Sequence, residues 1–171
     1  MNKQVQVALL LTGNELMSGD TVDSNSSRIA LALGAHKIGV GKKITVGDDP
    51  TLLTDSLIDL CASAEVVIIN GGLGPTEDDL TAELVAEVAG QALVNHPSAI
   101  EHLQEWCERR GLELNASNLK QALLPEGADL VANPIGSAVG FAIEVNGALV
   151  ITTPGCLLYT SPIPRDALTS R

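Results

Sequence analysis

The sequence predicts an α/β fold built on a mostly parallel, mixed sheet, and three observations predict it. Val66, Val67, Ile68 and Ile69 form a short, unbroken β-branched run, as a strand covered on both faces requires. That run ends at Asn70 and passes through Gly71, Gly72 and Gly74 into an amphipathic segment opened by Asp78 and Asp79, so strand, loop and helix follow in succession. Farther along, Asn146-Gly147 stands between two apolar stretches, the strongest short signal for an antiparallel hairpin.

In chain order, Val5 to Leu11 reads as a first buried strand, followed by a turn through Thr12-Gly13-Asn14-Glu15-Leu16. Asp23, Ser24 and Asn25 offer cap oxygens to a helix carrying Ile29, Leu31 and Leu33 and closed by Gly34. Ile38 to Val46 reads as a second strand, placed toward an edge by Gly39, Gly41 and the pair Lys42-Lys43. Asp49 ahead of Pro50 marks a helix start, with Asp49 as its N-cap and Leu52, Leu53, Leu57, Leu60 and Cys61 as its apolar residues. Leu80 to Val88 has helical spacing and stops at Gly90, and Leu93 and Val94 make a short extended stretch. Pro97 to Arg110 is a further helix, with Ile100, Leu103, Trp106 and Cys107 on one face, which makes Trp106 a core residue. Asn118-Leu119-Lys120-Gln121 is a polar cluster, readable either as a surface turn or as contacts to a phosphate or ribose. Asn133 to Phe141 is a second loop of small residues, and Phe141 to Val145 pairs with Ala148 to Thr152 across the hairpin turn.

Composition narrows the function classes. The 171 residues are 45% hydrophobic with three aromatics, a single-domain length whose core is aliphatic. A formal net charge of −11 argues against nonspecific nucleic-acid binding, which neutralises phosphates with Lys and Arg, and against attraction to anionic membranes. Cys61, Cys107 and Cys156 are too widely spaced for a zinc site, and their odd number indicates no disulfide framework. Cys61 and Cys107 fall on apolar helix faces and read as core. His36, His96 and His102 share no face with other metal-type ligands and read as solvated. The N-terminal apolar run is too short to span a membrane and lacks a signal-peptide pattern, so a cytoplasmic protein is expected.

The chemistry concentrates at strand ends. Glycines at 71, 72 and 74 let the backbone approach a ligand closely and direct N–H groups at anionic oxygens. The loop lacks the Lys-Ser/Thr ending of a P-loop and the G-x-G-x-x-G spacing of a dinucleotide fold, and such turns also serve merely to reverse a chain. Asp78 and Asp79 suit the first turn of a helix, but capping needs only one of them. Carboxylates beside a phosphate require an intervening cation, so the pair suggests a hard divalent metal such as Mg²⁺. Asp48, at the end of the second strand and not needed as a cap, is expected to converge with Asp79 on one site. Glu15, at the end of the first strand, faces the same crevice or solvent.

The ordered set TGNEL, VDSNS, VGDD, NGGLGPTEDDLT, NLKQA, NPIGSAVGF and TPG resembles the N-terminal domain of the CinA family, itself similar to the molybdopterin-binding domain of molybdenum-cofactor biosynthesis proteins. The resemblance covers about residues 4 to 155. It implies a three-layer α/β/α sandwich, self-association into a homo-oligomer, and metal-dependent hydrolysis of the pyrophosphate bond of ADP-ribose. The wider superfamily's Asp-x-Thr falls on Asp79-Leu80-Thr81, and its acidic position after the second strand falls on Asp48. Two departures stand out: Leu119 occupies the place of an Arg in the family's N-R-K-Q-A, removing a cation that would grip phosphate, and P-G-x-P-x-E breaks after Gly155. The tail from 156 to 171 resembles a translated sequencing-adaptor read and is expected to be unstructured.

Together these readings make residues 1 to 155 one domain in which Asp48, Asp78 and Asp79 hold Mg²⁺, Mn²⁺ or Co²⁺, with Asp48 and Asp79 catalytic. Substrate contacts are expected from Gly13 and Glu15, from Gly71, Gly72, Gly74, Thr76 and Thr81, from Lys120, and from Asn133, Gly136, Ser137 and Gly140. The partner is a small nucleotide or pterin phosphate. The alternatives are a module that binds such a phosphate without cleaving it, or an inactive fragment of a longer protein.

Overall fold

A computed structural model describes residues 5–155; the expected unstructured tail lies outside the described residues. Six strands form one sheet in the order β2-β1-β3-β8-β7-β6: β1 (Val7–Thr12), β2 (Val40–Val46), β3 (Val66–Asn70), β6 (Asp129–Val131), β7 (Gly140–Val145) and β8 (Ala148–Thr153). The first four strands in that order are parallel, and β7 and β6 are added antiparallel, giving the mixed sheet expected. A separate antiparallel pair joins β4 (Leu93–Asn95) to β5 (Leu123–Pro125). Asn146 and Gly147 both take positive φ, 50° and 85°, as a tight hairpin turn requires.

The strand alternation divides two cores. Ala8, Leu10, Val67, Ile69 and Val150 point to the face covered by α3 (Pro50–Ser63), α4 (Thr81–Ala89) and α5 (Pro97–Arg110), which contribute Leu53, Leu57, Leu60, Leu84, Val85 and Leu103. Val7, Leu9, Leu11, Val66 and Ile68 point the other way, onto Ile29 and Leu33 of α2 (Asn25–Ala35). Helices on both faces of one sheet make three layers, and the central strands β1 and β3 are buried throughout for that reason. Cys61 and Cys107 are buried as expected, and burial pushes the Cys61 thiol up to about 11.

Local readings shift in several places. Leu31 is 75% exposed because the α2 stripe closes with Ile29 and Leu33 alone, and α2 runs past Gly34 to Ala35, with Lys37 taking the positive φ of 62°. The turn after β1 contains a short helix, α1 (Asn14–Ser18), and the NLKQ cluster lies on another, α6 (Ala116–Lys120). Asp49 caps α3 as expected, its carboxylate accepting from Leu52 N at 2.9 Å. No helix of the described residues is long and apolar enough to cross a membrane.

Candidate functional site

The four parallel strands deliver their C-terminal ends to one side, and a cleft of about 630 Å³ opens there. Register explains the convergence: Thr12 lies beside Val46, Leu11 beside Asn70, and Asn70 beside Thr153. Buried Asn70 ties the floor, donating to Thr153 Oγ1 (3.1 Å) and Pro154 O (2.9 Å) while accepting from Asn25 Nδ2 (2.8 Å). Asn25 reaches Gly155 O as well (2.6 Å), so the loop before α2 closes one side. Neither Asn figured among the expected site residues; a polar residue ending an apolar strand was the available signal.

Gly13, Glu15, Gly71, Gly72, Gly74, Thr76, Asn133, Gly136, Ser137, Asp48, Asp78 and Asp79 all line this cleft. Gly71 and Gly72 have φ of 112° and 66°, conformations that L side chains rarely adopt, and a Cβ at Gly71 would meet Thr12 O at 2.6 Å. Asp48 and Asp79 thus share one cleft. Asp48 nevertheless has a structural task that the sequence reading denied it: it accepts from Thr12 Oγ1 (2.9 Å) and Asn14 N (3.1 Å), while its own N–H donates to Asn14 Oδ1 (3.2 Å). Asp79 precedes α4 rather than sitting in its first turn, and its Oδ2 accepts from Thr76 N (3.0 Å) and Thr76 Oγ1 (2.5 Å). Asp78 is exposed. Among the described residues, no group of three His, Cys, Asp or Glu is gathered to hold a metal ion.

Three expected contacts lie elsewhere. Thr81 is buried, and its hydroxyl donates to Gly71 O (2.9 Å), bracing the glycine loop from behind. Lys120 donates to Thr76 O (2.5 Å) and Asp79 O (2.9 Å), so its ammonium is spent on the turn rather than aimed at a ligand. Gly140 belongs to β7, where a Cβ would strike the Thr152 carbonyl; it serves close strand packing. Gln121 is 6% exposed, so it is no surface turn; it lines the cleft and donates to Leu73 O at 3.4 Å.

The second loop is held by residues read as solvated or core. His102 Nε2 bonds Gly136 O at 2.9 Å, and Trp106 Nε1 donates to Ile135 O at 3.0 Å. Trp106 is only partly buried and carries the Arg110 guanidinium over its ring at 4.6 Å, so it is not a core residue. Opposite, burial alone pushes the Asp23 carboxyl up, but hydrogen bonds from Ser26 Oγ and N–H and from Lys43 outweigh it and hold it below the usual carboxylate range.

Among the described residues the lining includes Glu15, Asp23, Asp48, Asp78 and Asp79 but no Lys, Arg or His. It is therefore a concave, acidic cleft with two loops of small residues along it.

Comparison with known proteins places this arrangement. Residues 8–163 match the family model of a probable molybdopterin binding domain. A CinA-like protein from Colwellia psychrerythraea is 50% identical over 150 residues, 88% of this chain and 35% of that protein. A Shewanella oneidensis protein named nicotinamide-nucleotide amidohydrolase PncC is 38% identical over 88% of this chain and 36% of its own length, so the chain spans about a third of the curated relatives it matches. Among solved structures, the protein CinA with unknown function from Thermoplasma acidophilum superimposes with a TM-score of 0.79 at 31% identity, covering 90% of this chain and 89% of that one. The molybdopterin biosynthesis enzyme MoaB from Thermus thermophilus shares the fold, with a TM-score of 0.58 at 18% identity over 89% of this chain and 82% of its own.

Proposed function

This chain belongs to the CinA-like proteins and carries their molybdopterin-binding-type domain, and on that premise we propose that its cleft binds the diphosphate of a nucleotide such as ADP-ribose and hydrolyses it with a divalent metal. One observation carries the reading: among the described residues, five carboxylates and no cationic side chain line a cleft floored by a glycine loop suited to phosphate. A diphosphate in that field is repelled unless a cation accompanies it. The donor set fits such an ion, since Mg²⁺ commonly takes one or two carboxylates and completes its shell with water and substrate phosphate rather than a full protein cage. Asp48 and Asp79 are the residues that would hold it, with exposed Asp78 beside them. Bound there, the ion supplies charge neutralisation at the phosphoryl oxygens and lowers the pKa of a water.

The chain's own residues do the rest. Thr76 fixes the Asp79 carboxylate through two hydrogen bonds, and Thr12 and Asn14 fix Asp48, so both acids are oriented before substrate arrives. Gly71 and Gly72 line the cleft in a turn packed closely against Thr12 and Thr81, and Asn133, Gly136 and Ser137 form the facing wall. Water then adds to phosphorus, one P–O bond of the bridge breaks, and AMP and ribose 5-phosphate leave.

A second reading, binding without cleavage, is favoured by one fact. The carboxylates of Asp48 and Asp79 already accept hydrogen bonds from their own chain, and no group of three such ligands is gathered among the described residues. Phosphatase-coupled phosphate release from ADP-ribose, with Mg²⁺, Mn²⁺ or Co²⁺ against EDTA, separates the two. Metal-dependent release supports the hydrolase; binding of ADP-ribose without release moves the assignment to the module.

A further inference from the structure

Asn133 and Ala138 are buried at either end of the second loop, whereas Pro134 and Ile135 are exposed, so no apolar anchor fixes its tip. Polar contacts fix it instead. From inside, Asn133 Oδ1 accepts from Gly136 N (3.1 Å) and Asn133 Nδ2 donates to Ala138 O (2.8 Å). From outside, two residues one turn apart on α5 take consecutive carbonyls: Trp106 that of Ile135 and His102 that of Gly136. Gly136 is thereby held at both its N–H and its carbonyl, and Gly136, Ser137 and Ala138 line the cleft together with Asn133. The helix making the outer contacts is itself rooted, with Ala99, Leu103 and Cys107 buried, and Arg110 steadies the indole.

We propose that His102 and Trp106 are positioning residues that set the cleft's affinity by holding this wall in its ligand-ready position. The inference rests on the reading of the cleft as a diphosphate-nucleotide site. A wall fixed beforehand spares the ligand the entropy of ordering it, so loosening the latch weakens binding while the chemical step, which depends on Asp48 and Asp79 across the cleft, is little changed. The His102 contact requires a hydrogen on Nε2, present in the imidazolium and in one neutral tautomer, so a side-chain amide donor at the same place substitutes for it.

The test uses the full chain with ADP-ribose as probe and calorimetry as readout, beside hydrogen exchange of the amides at 133 and 135–138. His102→Ala and Trp106→Phe are expected to weaken Kd by about tenfold and about threefold, to speed exchange of Gly136 N–H, and to raise KM far more than they lower kcat. His102→Gln should recover most of the affinity, which a merely structural role would not single out. Unchanged Kd and exchange in both variants, with the wild type binding, overturn the latch. No binding by the wild type overturns the functional reading and, with it, the claim about affinity; faster exchange in the variants would then still locate the contacts.

Discussion

The two loops that face each other across the cleft are both strapped from behind by a helix that takes their carbonyls, but the straps differ in kind. Behind the glycine loop, α6 supplies Ser117 to Pro75 O (3.0 Å) and Lys120 to Thr76 O and Asp79 O, and Gln121, its C-cap, donates to Leu73 O. Behind the second loop, α5 supplies only His102 and Trp106. The first strap includes a charged donor and is reinforced by Thr81 beneath the loop. The second has no Lys or Arg donor, and the tip it holds is exposed. The difference concentrates contacts on the side that carries Asp79 and leaves the outer hold on the second loop to two donors. Both sides are thereby set before a ligand arrives, the chemical side by more contacts than the binding wall.

The largest effect expected from that division is on turnover. Asp79→Asn keeps an oxygen to accept from Thr76, so the turn persists, but it removes the negative charge that the proposed cation needs. Metal-dependent phosphate release from ADP-ribose should vanish while the thermal midpoint stays within about 4 °C; full activity in this variant would strip the glycine side of its chemical role. Next comes Gly72→Ala, which forces an L residue to φ 66° and sets a Cβ against the Thr81 hydroxyl. A loss of about 2 kcal/mol is expected in denaturant unfolding, against a smaller one for Gly136→Ala, which carries no left-handed strain and crowds only the buried Asn133 amide. Equal losses would break the contrast. Lys120→Met follows at about 1 kcal/mol, because its ammonium holds two carbonyls yet remains partly solvated.

The sequence made the scaffold plain and left the straps hidden. Val66 to Asn70, the Asp49 N-cap and the Asn146-Gly147 turn are local signals, and each stands where expected. The glycine loop, Asp48 and Asp79 fall in one cleft because parallel strands must deliver their ends to the same side. Lys120, His102 and Trp106 were misread for a shared reason. Their partners are main-chain carbonyls between 29 and 44 residues away, and a carbonyl leaves no mark in a side-chain pattern. A lysine in a phosphate-site motif is naturally assigned to the phosphate, and a tryptophan on an amphipathic helix to the core. Thr81 and Gly140 stand behind the cleft rather than on it, since a residue that braces a loop and one that touches a ligand carry the same letter.

A third wall, residues 21 to 25, offers the smallest expected effect and the clearest sign. Asp23 is mostly shielded, and its carboxylate is held ionised by Ser26 and by Lys43 reaching across from β2. A folded-state value below that of the unfolded chain contributes stability that is present above about pH 4, the unfolded range, and is lost as pH falls through the depressed folded value. Ser26→Ala removes the hydroxyl donor and lets the folded value rise toward the unfolded one, so the variant should melt lower than the wild type at pH 7. The gap should narrow as pH drops below about 4 and close below the depressed folded value, where Asp23 is protonated in both states of both proteins. Lys43→Met should give the same pattern at smaller amplitude, since that ammonium is half exposed and screened by solvent. A gap independent of pH would assign the Ser26 effect to packing at the start of α2, and would leave the third wall held by Asn25, Asn70 and Gly155 rather than by charge.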